Sequence, residues 1–308
     1  MKPAFSIIFF TTIAGLAQGI AVALAVASLL GATPAGAAMM LWVTTALLIV
    51  ALISSFFHLG HPLRAWRAAL MWRTSWMSRE VIVLPIFIGI TAVWALATSV
   101  GMASSYLQVF PWLVIVGAFA VWLCTAMIYA CIRFIQEWAH PLTIVNYITL
   151  GLASGLVGAC ALGALSGDAG FVTSTAQSAI VATAIAFLTR GLSLRRNARL
   201  KPKSSIQSAT GIDSARVVQK SMGMTGGSFN TREFFHGASV RFYRNAKWTF
   251  LLLAFVAPMA ILAWSLFAQV PLAAVLAFAL QFVGLLAERW FFFAQARHPQ
   301  NLYYQVVS

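Results

Sequence analysis

Apolar residues run along this chain in long blocks, separated by short polar turns and by one long hydrophilic stretch. A membrane-crossing helix needs about 20 mostly apolar residues. Eight stretches meet that length, at roughly 5–30, 38–58, 80–100, 110–133, 142–165, 171–189, 248–268 and 270–294. Only helices and closed barrels satisfy their backbone groups inside lipid. The pattern therefore predicts an all-α polytopic bundle of eight transmembrane helices, forming a single membrane domain over 1–308. Lys2 followed by an apolar run also suits the start of a signal peptide. The run from Phe5 to Leu30 is longer than such a core, however, and no clear cleavage site follows, so it reads as the first span.

Pro3, Pro62, Pro111, Pro141 and Pro271 fall at predicted helix ends, where a missing backbone N–H is tolerated. Pro85 and Pro258 fall inside spans and predict kinks. Gly151, Gly155 and Ala159 repeat at four-residue spacing in span 5, which lets two backbones approach closely. The last two spans are separated only by the turn Gln269–Pro271, which implies a tight hairpin. Residues 190–247 form a basic connection. Its LRRNARLKPKSS part suits an extended chain, and TREFFHGASVRFYRNAKW suits a helix lying in the interface.

Charge then orients the bundle. With eight spans, both termini and the even-numbered connections share one face. That face collects Lys2, Arg64, Arg67, Arg73, Arg79, Arg133, the bases from Arg190 through Lys247, Arg289 and Arg297, which together are all 20 Lys and Arg. The opposite connections carry one charge, Asp168. The positive-inside rule places both termini in the cytoplasm. The same rule accounts for a net charge of +14 through anionic lipid rather than nucleic acid. Only 8% of residues are charged, against about 25% in soluble domains. The three cysteines, Cys124, Cys131 and Cys160, form no CxxC pair and lie in apolar runs, so this chain is expected to hold no iron–sulfur cluster of its own.

The candidate chemistry lies between spans 2 and 3, in SSFFHLGHPLRAWRAALMWRTSWMSREVIVLP. His58 ends one apolar helix, Arg64 and Arg67 follow a Gly–Pro turn, and Trp76, Arg79 and Glu80 open the next. Ionisable groups at membrane depth usually face a cavity or a partner. A quinone head group needs hydrogen-bonding partners at its two carbonyls and a route for protons. Histidine titrates near neutrality, a carboxylate at depth can relay a proton, and apolar walls accept the isoprenoid tail. Glu288 and Arg289 lie a turn or two inside the last span, within possible reach of the same pocket or as a structural pair. The residues alone leave other readings open. The arginines serve equally as topology signals, and Arg79 and Glu80 as an ion pair. A b-type haem would need two histidines on facing helices, and the candidates are His58 with His140 or His298, with His61 and His236 near the surface. A secondary transporter would show repeated halves, and none is evident.

HLGHPLRAWRA followed by RTSWMSRE, with ERWFFFAQARHPQNLYY near the C-terminus, resembles the dimethyl sulfoxide reductase anchor-subunit family. Within that family the sequence is most similar to membrane subunits of cytoplasmic quinone-linked sulfite dehydrogenases. The resemblance covers nearly the whole chain. It implies a haem-free anchor for a molybdopterin catalytic subunit and a four-cluster iron–sulfur subunit, exchanging electrons with ubiquinone or menaquinone in the bacterial inner membrane. It also implies that His58 and Glu80 meet the quinone, with Arg64 in support. The iron–sulfur partner would approach from the Arg-rich cytoplasmic face. A quinol-oxidising terminal reductase of the dimethyl sulfoxide reductase type is the alternative within the family.

Overall fold

The computed structural model describes residues 4–57, 59–103, 107–218 and 238–297. Among these, eight helices are long and apolar enough to cross a membrane. They are α1 (Phe5–Leu29), α2 (Ala37–Phe56), α3 (Trp76–Ser99), α4 (Val109–Ala130), α5 (Pro141–Leu165), α6 (Ala169–Ala198), α7 (Arg241–Ala268) and α8 (Ala273–Ala294). The protein is therefore a multi-pass membrane bundle, as the block pattern predicts. Large apolar side chains such as Phe9, Trp112, Val116, Leu188 and Phe267 stand exposed on its outside, where a lipid-facing surface keeps them.

The helix ends follow local chemistry. Ser75, Asp168 and Ser239 cap α3, α6 and α7 by accepting from the backbone N–H of Ser78, Phe171 and Phe242. At the face opposite the arginines, α1, α3 and α5 each stop at a left-handed glycine: Gly31, Gly101 and Gly167. The fourth turn on that face uses Gln269 in the same conformation, and it makes the tight hairpin between α7 and α8. Asp168 also accepts from the Ala35 N–H at 3.1 Å, which ties two of these turns together.

Two spans differ from the sequence expectation. Helix α6 continues past residue 189 to Ala198, about 45 Å at 1.5 Å per residue. Its last turns project beyond a hydrocarbon layer about 30 Å thick and carry Arg195 and Arg196. Arg196 reaches back to donate twice to the Gln136 carbonyl, both at 3.1 Å. Residues 190–198 of the basic connection are thus helical, and they include the first five residues of LRRNARLKPKSS, expected to be extended. Part of that connection, 219–237, lies outside the described residues, while the RFYRNAKW segment is the amphipathic first part of α7.

The core is organised around α1, the most enclosed helix, which packs on α2, α4, α5 and α8. Its contact with α5 is made through glycine. A Cβ on Gly155 would lie 2.0 Å from the Gly19 carbonyl carbon, and one on Gly19 would lie 2.0 Å from the Gly151 oxygen. The small-residue spacing of span 5 thus marks a backbone-to-backbone crossing.

Helix α7 bulges into a π turn over Leu252–Val256, just before Pro258. Pro258 has no N–H to offer the Ala254 carbonyl four residues back. The Gln281 Nε2 of α8 donates to that carbonyl instead, at 3.2 Å. Gly284 makes room for the bulge, since a Cβ there would sit 2.3 Å from the Ala254 nitrogen.

Gly155→Ala should destabilise the detergent-solubilised protein by about 1–3 kcal/mol, because backbone cannot yield to the added methyl. Gly191→Ala on α6, with nothing near its added methyl, should not. Thermal unfolding of the two variants checks this.

Candidate functional site

The expected site residues of α3 are adjacent by construction, and the structure shows what each does. Glu80 is buried in the first turns of α3. Thr125 of α4 donates a hydrogen bond to its Oε1. Arg79 turns away from it. Its Nε donates to the Trp72 carbonyl and its Nη2 to the Arg73 carbonyl, each at 2.9 Å, while its guanidinium lies 4.1 Å from the Trp76 ring. Arg79 and Glu80 therefore form no ion pair. Arg79 instead fastens the segment that enters α3, leaving the carboxylate without a cation among the described residues.

That entering segment is a 3-10 turn run, Pro62–Met71, packed against α3. Arg64 and Arg67 stand exposed on it, and Arg67 lies 5.6 Å from the Trp66 ring. Leu63, Trp66 and Leu70 are exposed beside them. A short stretch showing both charged and aromatic side chains suits the boundary between lipid and water. His58 lies outside the described residues, as do His236 and His298. Of the other histidines, His61 is exposed. The His140 Nδ1 accepts from the Leu142 N–H at 3.1 Å and so caps α5. Burial, and Arg196 after it, push the His140 pKa down, which keeps that nitrogen free to accept.

Glu288 and Arg289 are not beside Glu80. They meet Arg190 of α6 in a fully buried cluster on the same side of the bundle. The Glu288 Oε1 lies 2.7 Å from the Arg190 Nε, a close charge contact without hydrogen-bond alignment. The Arg289 Nε donates to the Glu288 Oε2 at 2.5 Å. Exposures of 0% for Glu288, 2% for Arg190 and 4% for Arg289 keep bulk solvent from screening them. Two cations facing one carboxylate give the cluster one net positive charge. The Arg289 guanidinium lies 4.6 Å from the Tyr147 ring and 5.1 Å from that of Phe292, whose faces attract a cation.

Tyrosines bridge the two groups. Tyr147 of α5 stacks on Tyr129 of α4, with ring centroids 5.9 Å apart and planes at 14°. Tyr129 lies one helical turn beyond Thr125 on the same face of α4. A buried row thus runs Glu80, Thr125, Tyr129, Tyr147, Arg289, Glu288, Arg190 across five helices.

Arg190 went unnoticed in the sequence because it reads as the first base of a basic connection. The helix-compatible run FLTRGLSLRRNA is the signal that it belongs to α6. Thr125, Tyr129 and Tyr147 carry no signal that separates them from ordinary span residues.

If the cluster holds excess positive charge, its members are not equivalent. Glu288→Gln leaves two buried cations without a counter-ion and should cost about 3–5 kcal/mol. Arg190→Met leaves the neutral Glu288–Arg289 pair and should cost much less. Thermal melting of the two variants in one detergent gives the order.

The chain matches the DMSO reductase anchor subunit (DmsC) family over residues 1–295. It is 46% identical to a sulfite dehydrogenase subunit of Allochromatium vinosum over an alignment of 326 positions covering 100% of both chains. With a match across nearly all of its length and eight spans in place, this chain belongs to the DMSO reductase anchor subunit family.

Proposed function

We propose that this chain is the membrane anchor and quinone-reducing subunit of a sulfite dehydrogenase. It would be joined in the bacterial inner membrane by an iron–sulfur subunit and a molybdopterin catalytic subunit. The name of its Allochromatium vinosum relative supports the choice of sulfite. Sulfite oxidation to sulfate releases two electrons, and reduction of a quinone takes up two electrons and two protons. The partner subunits hold the groups that oxidise sulfite. This chain supplies the place where electrons and protons meet.

The observation that carries this reading is Glu80. It is a carboxylate buried at membrane depth, with a threonine hydroxyl and no cation as its partner among the described residues. A carboxylate kept only for structure would be paired with a cation, as Glu288 is. One held by a neutral hydroxyl can take and give a proton. Thr125 orients the carboxyl by bonding one oxygen, which leaves the other to face a ligand. Arg79, braced on two carbonyls and the Trp76 ring, holds the Pro62–Met71 segment over the start of α3. This keeps Arg64, on the same segment, near the start of α3. Ring faces of Trp66 and Trp76 and the aliphatic surface of α3 suit a quinone and its tail. The arginines of this segment lie on the face that the positive-inside rule assigns to the cytoplasm, so the iron–sulfur subunit would dock there.

Glu80→Gln should lower quinone-linked turnover of the assembled complex by about 100-fold, the scale of one proton-transferring group. His58→Ala should also lower it. Thr125→Val should have a smaller effect, since it loosens the carboxyl without removing it. Full turnover in all three variants, with the subunits still co-purifying, would make the chain an anchor without a redox site.

A further inference from the structure

A small cavity lies between α1, α5 and α8, with Tyr147 in its wall. Its volume is ≈ 20 Å³, and its polar lining is Thr11, Thr12, Tyr147, Ser154 and Arg289. A water molecule needs about 10–15 Å³ of such space and two to four polar partners. The partners are present and unsatisfied. The Thr12 and Tyr147 hydroxyls are both buried and make no aligned hydrogen bond among the described residues, although Tyr129 and Arg289 lie close to the Tyr147 hydroxyl. Thr11 donates to the Ile7 carbonyl at 2.8 Å and Ser154 to the Gly151 carbonyl at 3.1 Å, so their oxygens still offer lone pairs. A lining with two idle hydroxyls, a guanidinium and two accepting oxygens fits water, which both donates and accepts. It fits an anion less well, because Thr11 and Ser154 would turn lone pairs toward it. Buried hydroxyls left without a partner are uncommon and usually mark ordered water.

The cavity adjoins the row of side chains that leads to Glu80. Tyr147 lines it and stacks on Tyr129. Thr125, bonded to Glu80, is one turn from Tyr129 on α4. Glu288 and Arg190 explain why the far end of the row stays in place. They pin Arg289 so that its guanidinium borders the cavity and covers the Tyr147 ring.

We propose that this cavity holds ordered water and that Tyr147 and Tyr129 relay protons between that water and Glu80. The proposal rests on Glu80 serving quinone. When the Glu80 carboxyl gives its proton to the quinone, the Thr125 hydroxyl bonded to it passes one on, and Tyr129, one turn away on α4, resupplies Thr125. Tyr129 recovers a proton from Tyr147, Tyr147 from the water, and the water takes one in turn from solvent at the arginine-bearing face. Each hydroxyl loses one proton and gains one, so neither tyrosine keeps a charge, and the electrons come separately from the iron–sulfur partner. Arg289 takes no proton. It holds the water in place and keeps the Tyr147 ring oriented.

The test uses the assembled complex. An experimental map that resolves ordered water should show density in the cavity bonded to Thr12, Tyr147 and Arg289. Tyr147→Phe keeps the ring stack and removes the hydroxyl, and Thr12→Val removes the other idle hydroxyl at nearly constant volume. Each should slow quinone turnover about tenfold and raise its solvent deuterium isotope effect, which a loss of packing would not do. A dry cavity, or full turnover with an unchanged isotope effect in both variants, would overturn the relay. Glu80→Gln run alongside separates the two claims. If it is slow while Tyr147→Phe and Thr12→Val are not, the relay alone fails. If it too runs at full rate, the quinone reading fails with it.

Discussion

Hydrocarbon offers no water to solvate a charge, so each ionised group carried into it must find its partner within the protein. That constraint shapes this chain more than any other. Most bases among the described residues gather at one face, and those that enter the bundle are answered by specific neighbours. Arg190 and Arg289 share Glu288, and Arg289 also covers two aromatic rings. Glu80 is different, because its partner is the Thr125 hydroxyl. The contrast between these two buried carboxylates is the basis for separating structure from chemistry here. Glu288 is held between two cations. Glu80 has no cation among the described residues to hold it ionised.

The packing serves this arrangement. The glycine crossing of α1 and α5 brings Thr11 and Thr12 next to Tyr147 and Ser154. The π turn of α7, accommodated by Gly284 and Gln281, seats α8 at a fixed register, and with it Glu288 and Arg289. The connection between α4 and α5 adds two ties at the basic face. The Trp138 indole donates to the Phe292 carbonyl at 3.1 Å, and the Gln136 carbonyl accepts from Arg196. Electron transfer to a quinone depends on distance, and a bundle fastened in this way would keep the proposed quinone site in a constant place relative to a partner docked as proposed.

Much of the architecture was legible in the sequence because it is written in one-dimensional signals. Blocks of about 20 apolar residues marked the spans, and the glycine repeat marked a close crossing. Pro258 marked a distortion, though not that it would be a π turn caught by Gln281. The end of α6 was misplaced at residue 189 because Arg190 looks like a boundary until Glu288 is seen opposite it. Arg79 and Glu80 illustrate the same limit. Adjacency suggested either an ion pair or two ligands, and only three-dimensional placement showed the guanidinium turned back onto the Trp72 and Arg73 carbonyls. Thr125, Tyr129 and Tyr147 were invisible as functional residues, since their role comes from neighbours distant in sequence.

The central claim is that quinone meets the protein beside Glu80, at the arginine-bearing face where the iron–sulfur partner docks. An experimental structure of the whole complex with quinone bound tests it most directly. The account predicts a head group within hydrogen-bonding distance of the Glu80 carboxyl and the nearest cluster positioned above the Pro62–Met71 segment. Partners seated on the opposite face, or a quinone bound away from Glu80, would contradict it.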